Sequence, residues 1–461
     1  MLYIDENKIN NLLIEKKNPS YFEVEKVLNK AISLKRLNLE EVAVLLNVDE
    51  PDLLEKIFYA ARLIKDKVYG KRVVLFAPLY ISNFCQNNCL YCAFRMDNSF
   101  IKRRALNFLE IKDETEILLR QGHKRILLVC GESAPSGFSN IDYYVGAVKA
   151  VYNAKVEKSY IKRVNINCAP LSIEDFKKLK KAGIGTYQLF QETYHKETYL
   201  KMHPKGPKSD PDNRIDAIDR AFLAGIDDVG IGVLFGLYDY KFEVLGLLSH
   251  IEHLEERFNV GPHTISVPRI EPAVGSEVSL NPPYKVSDEE FKKIVAILRL
   301  AVPYTGMILS TRETPKMRDL LLGLGISQIS AGSRTSPGGY SNFDFKDASQ
   351  FSLADLRSLE EIVYTLIKYD YIPSFCASCY RKGRTGEVFM GLAKPGKIKD
   401  KCTVNALLTL KEYIEDFGSN LTKEEANNMI LRYLEKLDKN DKEVFLKLSK
   451  KIENGSRDEY I

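Results

Sequence analysis

The sequence predicts an α/β protein built on a closed (β/α)8 barrel, with helices before the barrel and a mainly helical segment after it. Eight short runs rich in β-branched and aromatic residues alternate with longer helical runs between residues 73 and 330, and such alternation gives a parallel sheet. The chain has 461 residues, which suits one barrel with additions at both ends. An open, doubly wound sheet is the alternative fold for the same alternation.

Three parts are predicted along the chain. Residues 1–68 form helices, because apolar residues recur at spacings of three and four. Residues 69–345 form the barrel, and residues 346–461 form a helical domain with a Cys-rich loop. The predicted strands are 73–80, 125–130, 163–167, 185–190, 228–233, 263–268, 306–310 and 326–330. In such a barrel the active site lies beyond the carboxyl ends of the strands.

The composition is that of an ordinary globular protein and excludes several classes of function. Lys and Arg number 67 against 62 Asp and Glu, a net charge of +5 without a sustained basic block, so we expect no nucleic-acid partner. No apolar run approaches the roughly 18 residues of a membrane span, and the N-terminus lacks an apolar signal core. We therefore expect a cytoplasmic protein without a membrane partner. Six of the eight cysteines form two groups of three, which favours metal binding or catalysis over disulfides.

The first group of cysteines, Cys85, Cys89 and Cys92, follows the first predicted strand. Three thiolates do not complete a structural zinc site, which needs four ligands. On a 4Fe–4S cluster they leave one iron open to the amine and carboxylate of a small molecule. The C-x₃-C-x₂-C spacing after the first strand of a barrel resembles the radical S-adenosylmethionine (SAM) superfamily. The resemblance implies a 4Fe–4S cluster that reduces SAM and releases a 5′-deoxyadenosyl radical.

Other strand ends carry candidate ligands for SAM. Tyr91 is the aromatic residue expected near the adenine. Gly131 and Glu132 match part of the Gly-Gly-Glu motif that receives the SAM amine in the superfamily, although a Cys replaces the first Gly here. Glu192 is the candidate acceptor for the ribose hydroxyls, and Arg214 is the candidate partner of the SAM carboxylate, where a planar fork is useful.

The second group of cysteines lies in the C-terminal part of the chain. Cys376 and Cys379 form a C-x-x-C pair, and Cys402 follows after 22 intervening residues. Three ligands with an open position suit a second Fe–S cluster with an accessible iron. From the spacing alone, a zinc site completed by a distant His is the alternative.

The chain resembles the HydG family, the tyrosine lyases of FeFe-hydrogenase maturation, from about residue 70 to residue 420. In that family SAM and L-tyrosine react at the first cluster, and the tyrosine side chain leaves as p-cresol. The remaining dehydroglycine becomes carbon monoxide and cyanide, assembled on iron at a second 4Fe–4S cluster. The resemblance also implies a reductant such as flavodoxin or ferredoxin, and other hydrogenase maturases as partners. The matching segments are 190–208, 227–240, 261–269, 324–335 and 373–398 together with the downstream Cys402.

Four polar residues fall at or just beyond the ends of the last three predicted strands, at the same mouth as the first cysteines. These are Arg269, Ser310, Arg312 and Ser330. Tyrosine brings a carboxylate, an amine and a phenol to such a site. Arg312 and Ser330 are the candidates for its carboxylate, through bidentate and hydroxyl hydrogen bonds.

His263 opens the sixth predicted strand, so we expect it at the opposite mouth of the barrel. Imidazole is a good iron ligand, and the family resemblance implies that this His holds an additional labile iron against the second cluster. The two clusters would then lie about 20 to 25 Å apart. A fragment that passes between them needs a polar channel through the barrel, in place of the usual packed layers.

Two other functions compete with this interpretation. A thiamine-pathway tyrosine lyase shares the SAM chemistry, but it would not need Cys376, Cys379 and Cys402. A non-catalytic iron–sulfur scaffold is the second alternative, and the Glu, Arg, Ser and Gly residues at the strand ends argue against it.

Overall fold

The computed structural model describes residues 1–133, 140–341 and 348–461. Its strands are short except for the first. They are β1 (Arg72–Ser82), β2 (Arg125–Cys130), β3 (Lys155–Val156), β4 (Ser159–Tyr160), β5 (Arg163–Asn167), β6 (Tyr187–Gln188), β7 (Val229–Gly232), β8 (Thr264–Ser266), β9 (Gly306–Leu309), β10 (Gln328–Ser330) and β11 (Ile372–Ser374).

Helices fill most of the chain between and around these strands, and several begin with a capping box, for example Ser20 with Glu23 and Ser287 with Glu290. The helices are α1 (Glu6–Glu15), α2 (Tyr21–Ile32), α3 (Leu39–Leu46), α4 (Pro51–Val68), α5 (Phe108–Arg120), α6 (Ile141–Asn153), α7 (Ile173–Lys181), α8 (Lys196–Met202), α9 (Pro211–Leu223), α10 (Tyr240–Phe258), α11 (Glu277–Leu280), α12 (Asp288–Ala301), α13 (Pro315–Leu324), α14 (Leu359–Lys368), α15 (Ser378–Arg381), α16 (Gly386–Ala393), α17 (Ile398–Asp416), α18 (Asn420–Leu434) and α19 (Lys439–Glu453).

The predicted closed barrel is confirmed. Eight parallel strands run in the order β1, β2, β5, β6, β7, β8, β9, β10, and β10 pairs again with β1. The closing register joins Val74 to Gln328 and Phe76 to Ser330. This closure excludes the open, doubly wound sheet. The helices before the barrel are also as predicted, and α4 ends at Val68, just before β1. The predicted boundary between residues 345 and 346 lies outside the described residues.

Two strand pairings were not predicted. β3 and β4 form a small antiparallel hairpin outside the barrel. β11 pairs in parallel with the first residues of β1, in the register Arg72 to Ile372 and Val74 to Ser374. Its three residues include a Pro, and a Pro within so short a run favours a loop when only the sequence is read. Helices α14 and α17 pack against β11, and α18 and α19 pack against α17, so β11 joins this part of the chain to the barrel.

Polar side chains fill part of the barrel interior, as the channel prediction requires. At Gly306, a Cβ atom would lie 2.7 Å from Nε2 of Gln328. At Gly230 a Cβ would lie 2.5 Å from Oγ1 of Thr264 and 2.9 Å from Cγ of Gln188. These glycines therefore leave the room that polar side chains occupy inside the barrel. None of the helices in the described part of the chain has both the length and the apolar character to cross a membrane.

A buried ion pair fixes the segment that follows the last barrel strand. Arg318 on α13 donates to Asp355 and to the carbonyl oxygen of Ser330, and both charged side chains are fully buried. Arg357 donates to Asp355 at 2.7 Å and to Asp319 at 2.9 Å. The pair therefore ties the end of β10, with Ser330, to the chain beyond the barrel.

We predict that Asp355→Asn lowers the free energy of unfolding by about 3 to 5 kcal/mol, because it leaves the buried charge of Arg318 without its carboxylate. Asp319→Asn is the matched control. Among the described residues Asp319 pairs only with the partly exposed Arg357, so its loss is expected to cost about 1 kcal/mol or less. Urea unfolding followed by circular dichroism measures both. Equal losses in the two variants would contradict the prediction.

Candidate active site

The first three cysteines lie together on the loop that follows β1, at the carboxyl end of the barrel. Cys85, Cys89 and Cys92 line one cavity of about 100 Å³. Burial raises the pKa of the Cys89 thiol to about 12 and also raises the pKa values of the other two thiols. Buried thiols resist ionisation, so three thiolates here require positive charge or N–H donors around them.

N–H donors surround two of the sulfur atoms. The Asn87 side-chain amide donates to Sγ of Cys85 at 3.8 Å. The backbone N–H of Phe94 and the Gln350 side-chain amide donate to Sγ of Cys92 at 3.4 and 3.7 Å. Hydrogen bonds to the sulfurs are one of the means by which proteins tune Fe–S clusters. Three soft sulfurs around one cavity, with such donors, fit the predicted 4Fe–4S cluster.

A site for a single metal ion needs ligands that converge on one point, which these three cysteines do not. Among the described residues no three His, Cys, Asp or Glu side chains converge closely enough to hold one ion. In a cluster each cysteine ligates a different iron, so the sulfurs stand apart from one another.

Gly131 and Glu132 lie directly against the cysteine loop. A Cβ atom at Gly131 would collide with the carbonyl oxygen of Phe84, so only glycine fits there. The Glu132 carboxylate accepts a hydrogen bond from Asn87 at 2.8 Å, and its carbonyl oxygen accepts one from the backbone N–H of Gln86 at 2.6 Å. The partial motif is therefore positioned beside Cys85, where the sequence predicts the SAM amine.

Tyr91 lies between the cluster cavity and a larger cavity inside the barrel, and it lines both. Its hydroxyl is 2.8 Å from Nε2 of His203 and accepts a hydrogen bond from Nζ of Lys208 at 3.0 Å. Burial raises the pKa of Tyr91 well above its ordinary value and lowers that of His203 well below its own. Both groups are therefore neutral at pH 7.

Glu192 and Arg214 meet at the same place, together with a lysine that sequence reasoning missed. Lys208 Nζ lies 2.6 Å from the Glu192 carboxylate, and an Arg214 nitrogen lies 3.7 Å from it. Burial raises the pKa of Glu192, but Lys208 and Arg214 outweigh it and hold that pKa below its usual value. Glu192 also has a positive φ of 74°, an uncommon conformation for a non-glycine residue. In the sequence, Lys208 looks no different from Lys205 or Lys201.

The barrel cavity has a volume of about 170 Å³ and begins at Cys92. Ser310, Arg312 and Ser330 line it, as predicted for the substrate site. The guanidinium of Arg312 lies 3.4 Å from the centre of the Phe351 ring. No carboxylate among the described residues forms an ion pair with Arg312. The Ser330 hydroxyl is buried and has no hydrogen-bond partner in the described part of the chain.

Arg269, the fourth predicted substrate residue, lies away from these three. Its guanidinium donates to both carboxylate oxygens of Glu313, to Asp288 at 2.9 Å and to the carbonyl oxygen of Val286 at 3.1 Å. It is not among the residues that line the barrel cavity. Strand position alone predicted its place, whereas Glu313 in the loop after β9 and Asp288 at the start of α12 hold the side chain away from the cavity.

The second group of cysteines lies on the loop after β11 and on α17. Cys376 Sγ is 3.3 Å from the Ser378 hydroxyl, and Cys402 is buried on the helix. Burial raises the pKa of Cys402 to about 11, although Arg72 lowers it, and the thiols of Cys379 and Cys376 raise it further. The three thiols are therefore neighbours in a site that already contains a guanidinium cation.

This second group lies at the amino end of the barrel, opposite the first. The guanidinium of Arg125, the first residue of β2, donates to the carbonyl oxygen of Cys376 at 3.0 Å. His263 precedes β8 at the same end, and its Nε2 is 3.2 Å from the Tyr380 hydroxyl on the cysteine loop. Burial lowers the pKa of His263 to about 4. The imidazole is therefore neutral at pH 7, the form that binds metals.

Residues near the end of the sequence contact the segments that carry the second group of cysteines. The Asp458 carboxylate accepts hydrogen bonds from the Tyr160 hydroxyl at 2.6 Å and from Arg381 at 2.7 Å. The backbone N–H of Ile461 donates to Asn405 at 2.8 Å. Sequence reasoning gave these residues no role, because their only signal is a mixed-charge tail. They hold the second cysteine loop from its outer side.

The barrel cavity extends from the first site towards the second. Its lining includes Leu127, Gln188 and Ser266, and the strand register joins Ser266 to Ile308 and Ile308 to Gln328. Polar and apolar side chains both line the cavity. A continuous opening between the two ends stays a prediction.

Fold and site together define a parallel-barrel enzyme with a three-cysteine cluster site at the carboxyl end and a second cysteine site at the amino end. Comparisons with known proteins agree with this class. The Radical SAM superfamily profile matches residues 79–248, and the Biotin and Thiamin Synthesis associated domain matches residues 266–372. The 2-iminoacetate synthase of Salmonella typhimurium is 32% identical over 346 residues, which are 75% of this chain and 87% of that protein.

Solved structures give a fuller match. A crystal structure of HydG, a maturase of the [FeFe]-hydrogenase, superimposes with a TM-score of 0.96 at 50% identity and covers 100% of both chains. HydG from Carboxydothermus hydrogenoformans gives a TM-score of 0.84 at 41% identity, covering 96% of this chain and 97% of that one. The chain therefore belongs to the radical SAM superfamily and, within it, to the family of HydG maturases.

We predict that Lys208→Met makes SAM binding dependent on pH. Without Lys208 the largest of the charges that lower the pKa of Glu192 is lost while burial still raises that pKa, so the carboxylate takes up a proton at a higher pH than in the unchanged chain. A protonated Glu192 no longer accepts charge-assisted hydrogen bonds from the ribose, a loss of about 1.5 to 3 kcal/mol, or about 10- to 100-fold in Kd. Equilibrium dialysis of SAM between about pH 8 and pH 6 measures this.

Lys205→Met is the matched control for that experiment, because Lys205 is an exposed lysine three residues away. The control and the unchanged chain are expected to share one shallow pH dependence. A Lys208→Met variant that follows the same shallow curve would show that Lys208 does not keep Glu192 ionised.

Proposed function

We propose that this chain is a tyrosine lyase that cleaves L-tyrosine into p-cresol and dehydroglycine. It then converts dehydroglycine into carbon monoxide and cyanide on iron, for the active site of FeFe-hydrogenase. The observation that carries the proposal is the placement of two cysteine triads at opposite ends of one barrel, with a cavity inside the barrel that starts at the first triad. Full-length similarity to HydG maturases supports it.

The residues at the carboxyl end have distinct roles in this proposal. Cys85, Cys89 and Cys92 bind the first 4Fe–4S cluster, which supplies the electron that splits SAM when it is bound. Glu192 is ionised because Lys208 and Arg214 stand beside it, so it accepts hydrogen bonds from the ribose hydroxyls. The remaining SAM contacts are the amine at Gly131 and Glu132, the carboxylate at Arg214 and the adenine near Tyr91.

Arg312 and Ser330 bind the tyrosine carboxylate, with Ser310 beside them. Arg312 is a cation that lines the cavity without a carboxylate partner among the described residues, and the Ser330 hydroxyl is buried without a partner there. A substrate carboxylate satisfies both groups at once. Arg269 already donates from all three guanidinium nitrogens to protein acceptors, so its contribution is to hold the strand end.

At the amino end, Cys376, Cys379 and Cys402 bind a second 4Fe–4S cluster, and His263 holds an additional labile iron beside it. Three parts of the chain divide the work: residues 1–68 buttress the barrel, residues 69–345 cleave tyrosine, and residues 346–461 carry the second cluster. The proposal includes a reductant such as flavodoxin or ferredoxin, and other hydrogenase maturases as recipients of the product. It also includes a cytoplasmic location, because both cysteine triads must stay reduced to bind iron.

The thiamine-pathway tyrosine lyase is the second candidate. The 2-iminoacetate synthases of Salmonella typhimurium and Escherichia coli match 75% and 73% of this chain, whereas the HydG structure matches all of it. The second cysteine triad therefore separates the two functions, and removing it tests which one the chain performs.

We predict that the two triads can be separated by mutation. Replacing Cys85, Cys89 and Cys92 with Ala abolishes cleavage of both SAM and tyrosine, because no cluster supplies the electron. Replacing Cys376, Cys379 and Cys402 with Ala leaves p-cresol formation and removes carbon monoxide and cyanide. Chromatography of p-cresol and 5′-deoxyadenosine, with infrared detection of iron-bound carbon monoxide and cyanide from ¹³C-labelled tyrosine, measures each product.

Cys168→Ala is the control for loss of a buried thiol outside both triads, and all products are expected from it. Loss of p-cresol in the second triple variant, with the first cluster intact, would contradict the proposed division. Formation of p-cresol without carbon monoxide or cyanide by the unchanged chain would favour the thiamine-pathway lyase. A chain that forms no 5′-deoxyadenosine would be a scaffold.

We predict that Arg312→Ala raises the KM for tyrosine about 30- to 1,000-fold, since a charge-assisted contact to a bound carboxylate is worth roughly 2 to 4 kcal/mol. SAM binding is expected to stay unchanged. Arg312→Lys keeps the charge but loses the fork, so an intermediate KM is expected. Lys316→Ala removes an exposed cation four residues away and serves as control. Normal tyrosine affinity in Arg312→Ala would remove this assignment.

A further inference from the structure

One arginine beside the first cysteine loop has no part in the roles assigned above. Arg103 donates through Nη1 to the carbonyl oxygens of Asn83 at 2.7 Å and Phe94 at 2.8 Å. Through Nη2 it donates to the carbonyl oxygens of Arg95 at 2.5 Å and Asn98 at 3.3 Å. Asn83 precedes the three cysteines and the other acceptors follow them. A single side chain therefore closes the loop that carries the cluster ligands.

The charge of Arg103 is not cancelled by these contacts. Carbonyl oxygens satisfy N–H groups but carry no net charge, and no carboxylate among the described residues forms an ion pair with Arg103. Its neighbours differ in this respect: Arg104 pairs with Glu110 at 2.8 Å, and Arg95 pairs with Asp97 at 2.7 Å. Arg103 is therefore a half-buried cation of this loop that has no carboxylate partner within the part of the chain that the structure describes.

The thiols of the cluster site are among the groups that act on this charge. Burial lowers the pKa of Arg103, while Cys85, Cys92 and Asp97 oppose that effect. The guanidinium of Arg103 and the two cysteines therefore interact electrostatically in a partly buried environment. Charges interact more strongly there than in bulk water.

A nearby cation favours the reduced form of a cluster, because one-electron reduction adds a negative charge at the cluster. Net charge and hydrogen bonding are two of the terms that set Fe–S potentials. We propose that Arg103 is a positioning residue that closes the cysteine loop and whose charge raises the reduction potential of the first cluster. The electron comes from an external one-electron donor, and no bond is made or broken in this step. The inference rests on the cluster and not on the identity of the substrate.

The test is a redox titration of the reconstituted full chain, followed by electron paramagnetic resonance with and without SAM. The signal that changes shape when SAM is added belongs to the first cluster. Arg103→Gln removes the charge and keeps amide donors. We expect its equilibrium constant for one-electron reduction to fall about tenfold, which is a shift of about 59 mV to more negative potential.

Two further variants separate charge from contact. Arg103→Lys keeps the charge and loses most of the fork, so its potential is expected to stay close to that of the unchanged chain while its cluster loses iron faster under chelator. Arg104→Gln removes a neighbouring charge that Glu110 already compensates, and no shift in potential is expected from it.

The possible results decide the proposal in each case. A loaded Arg103→Gln variant with an unchanged potential overturns it, as does an equal shift in Arg104→Gln. If Arg103→Gln does not bind the first cluster, the Arg103→Lys variant decides. A cluster that Arg103→Lys retains supports the electrostatic role. Loss of the cluster in both variants overturns that role and leaves Arg103 with a structural role in the loop. A shifted potential in Arg103→Gln supports this inference whichever products the chain forms from tyrosine. Failure of the proposed function can therefore be told apart from failure of this inference.

Discussion

The structure depends on one long strand that hydrogen-bonds to three neighbours. β1 has 11 residues, whereas the other barrel strands have between 2 and 6. Its upper half pairs with β2, its lower residues pair with β11, and β10 closes the barrel on the other edge. Because this strand spans the barrel, the first cysteine loop follows one end of it and the second is held beside the other end. The separation of the two sites is thus a consequence of strand length.

The barrel interior between the sites is organised around polar groups at a cost in stability. Gln188 Oε1, Thr264 Oγ1 and Ser330 Oγ are buried without hydrogen-bond partners in the described chain. An unsatisfied buried polar group costs about 1 to 3 kcal/mol. A barrel selected for stability alone would carry branched apolar side chains here. These groups are consistent with an interior that is completed by a polar molecule, and Gly230 and Gly306 supply the space for them.

Much of this arrangement was accessible from the sequence, because it is local. The eight strands, the two cysteine triads and the position of Glu192 all follow from patterns within a few residues. β11 was missed because its pairing with β1 is set by a partner 300 residues away in the chain. Lys208 and Asp458 were missed for the same reason: each acquires its role only through contacts that folding creates. Arg269 shows a limit of this reasoning, since a strand end does not fix the direction of a long side chain, which here pairs with the buried Glu313.

Charge explains how both ends of the barrel tolerate buried thiols. Burial contributes most to the pKa of about 12 at Cys89 and to the pKa of about 11 at Cys402. Lys208 lowers the first of these values and Arg72 lowers the second, so a cation accompanies the cysteines at each end. The layer between carries amides and hydroxyls instead of charges. An ion crossing it would leave its counter-charge behind, whereas an uncharged or zwitterionic fragment finds hydrogen-bond partners along the way. We therefore expect the predicted channel to pass a small polar molecule of no net charge.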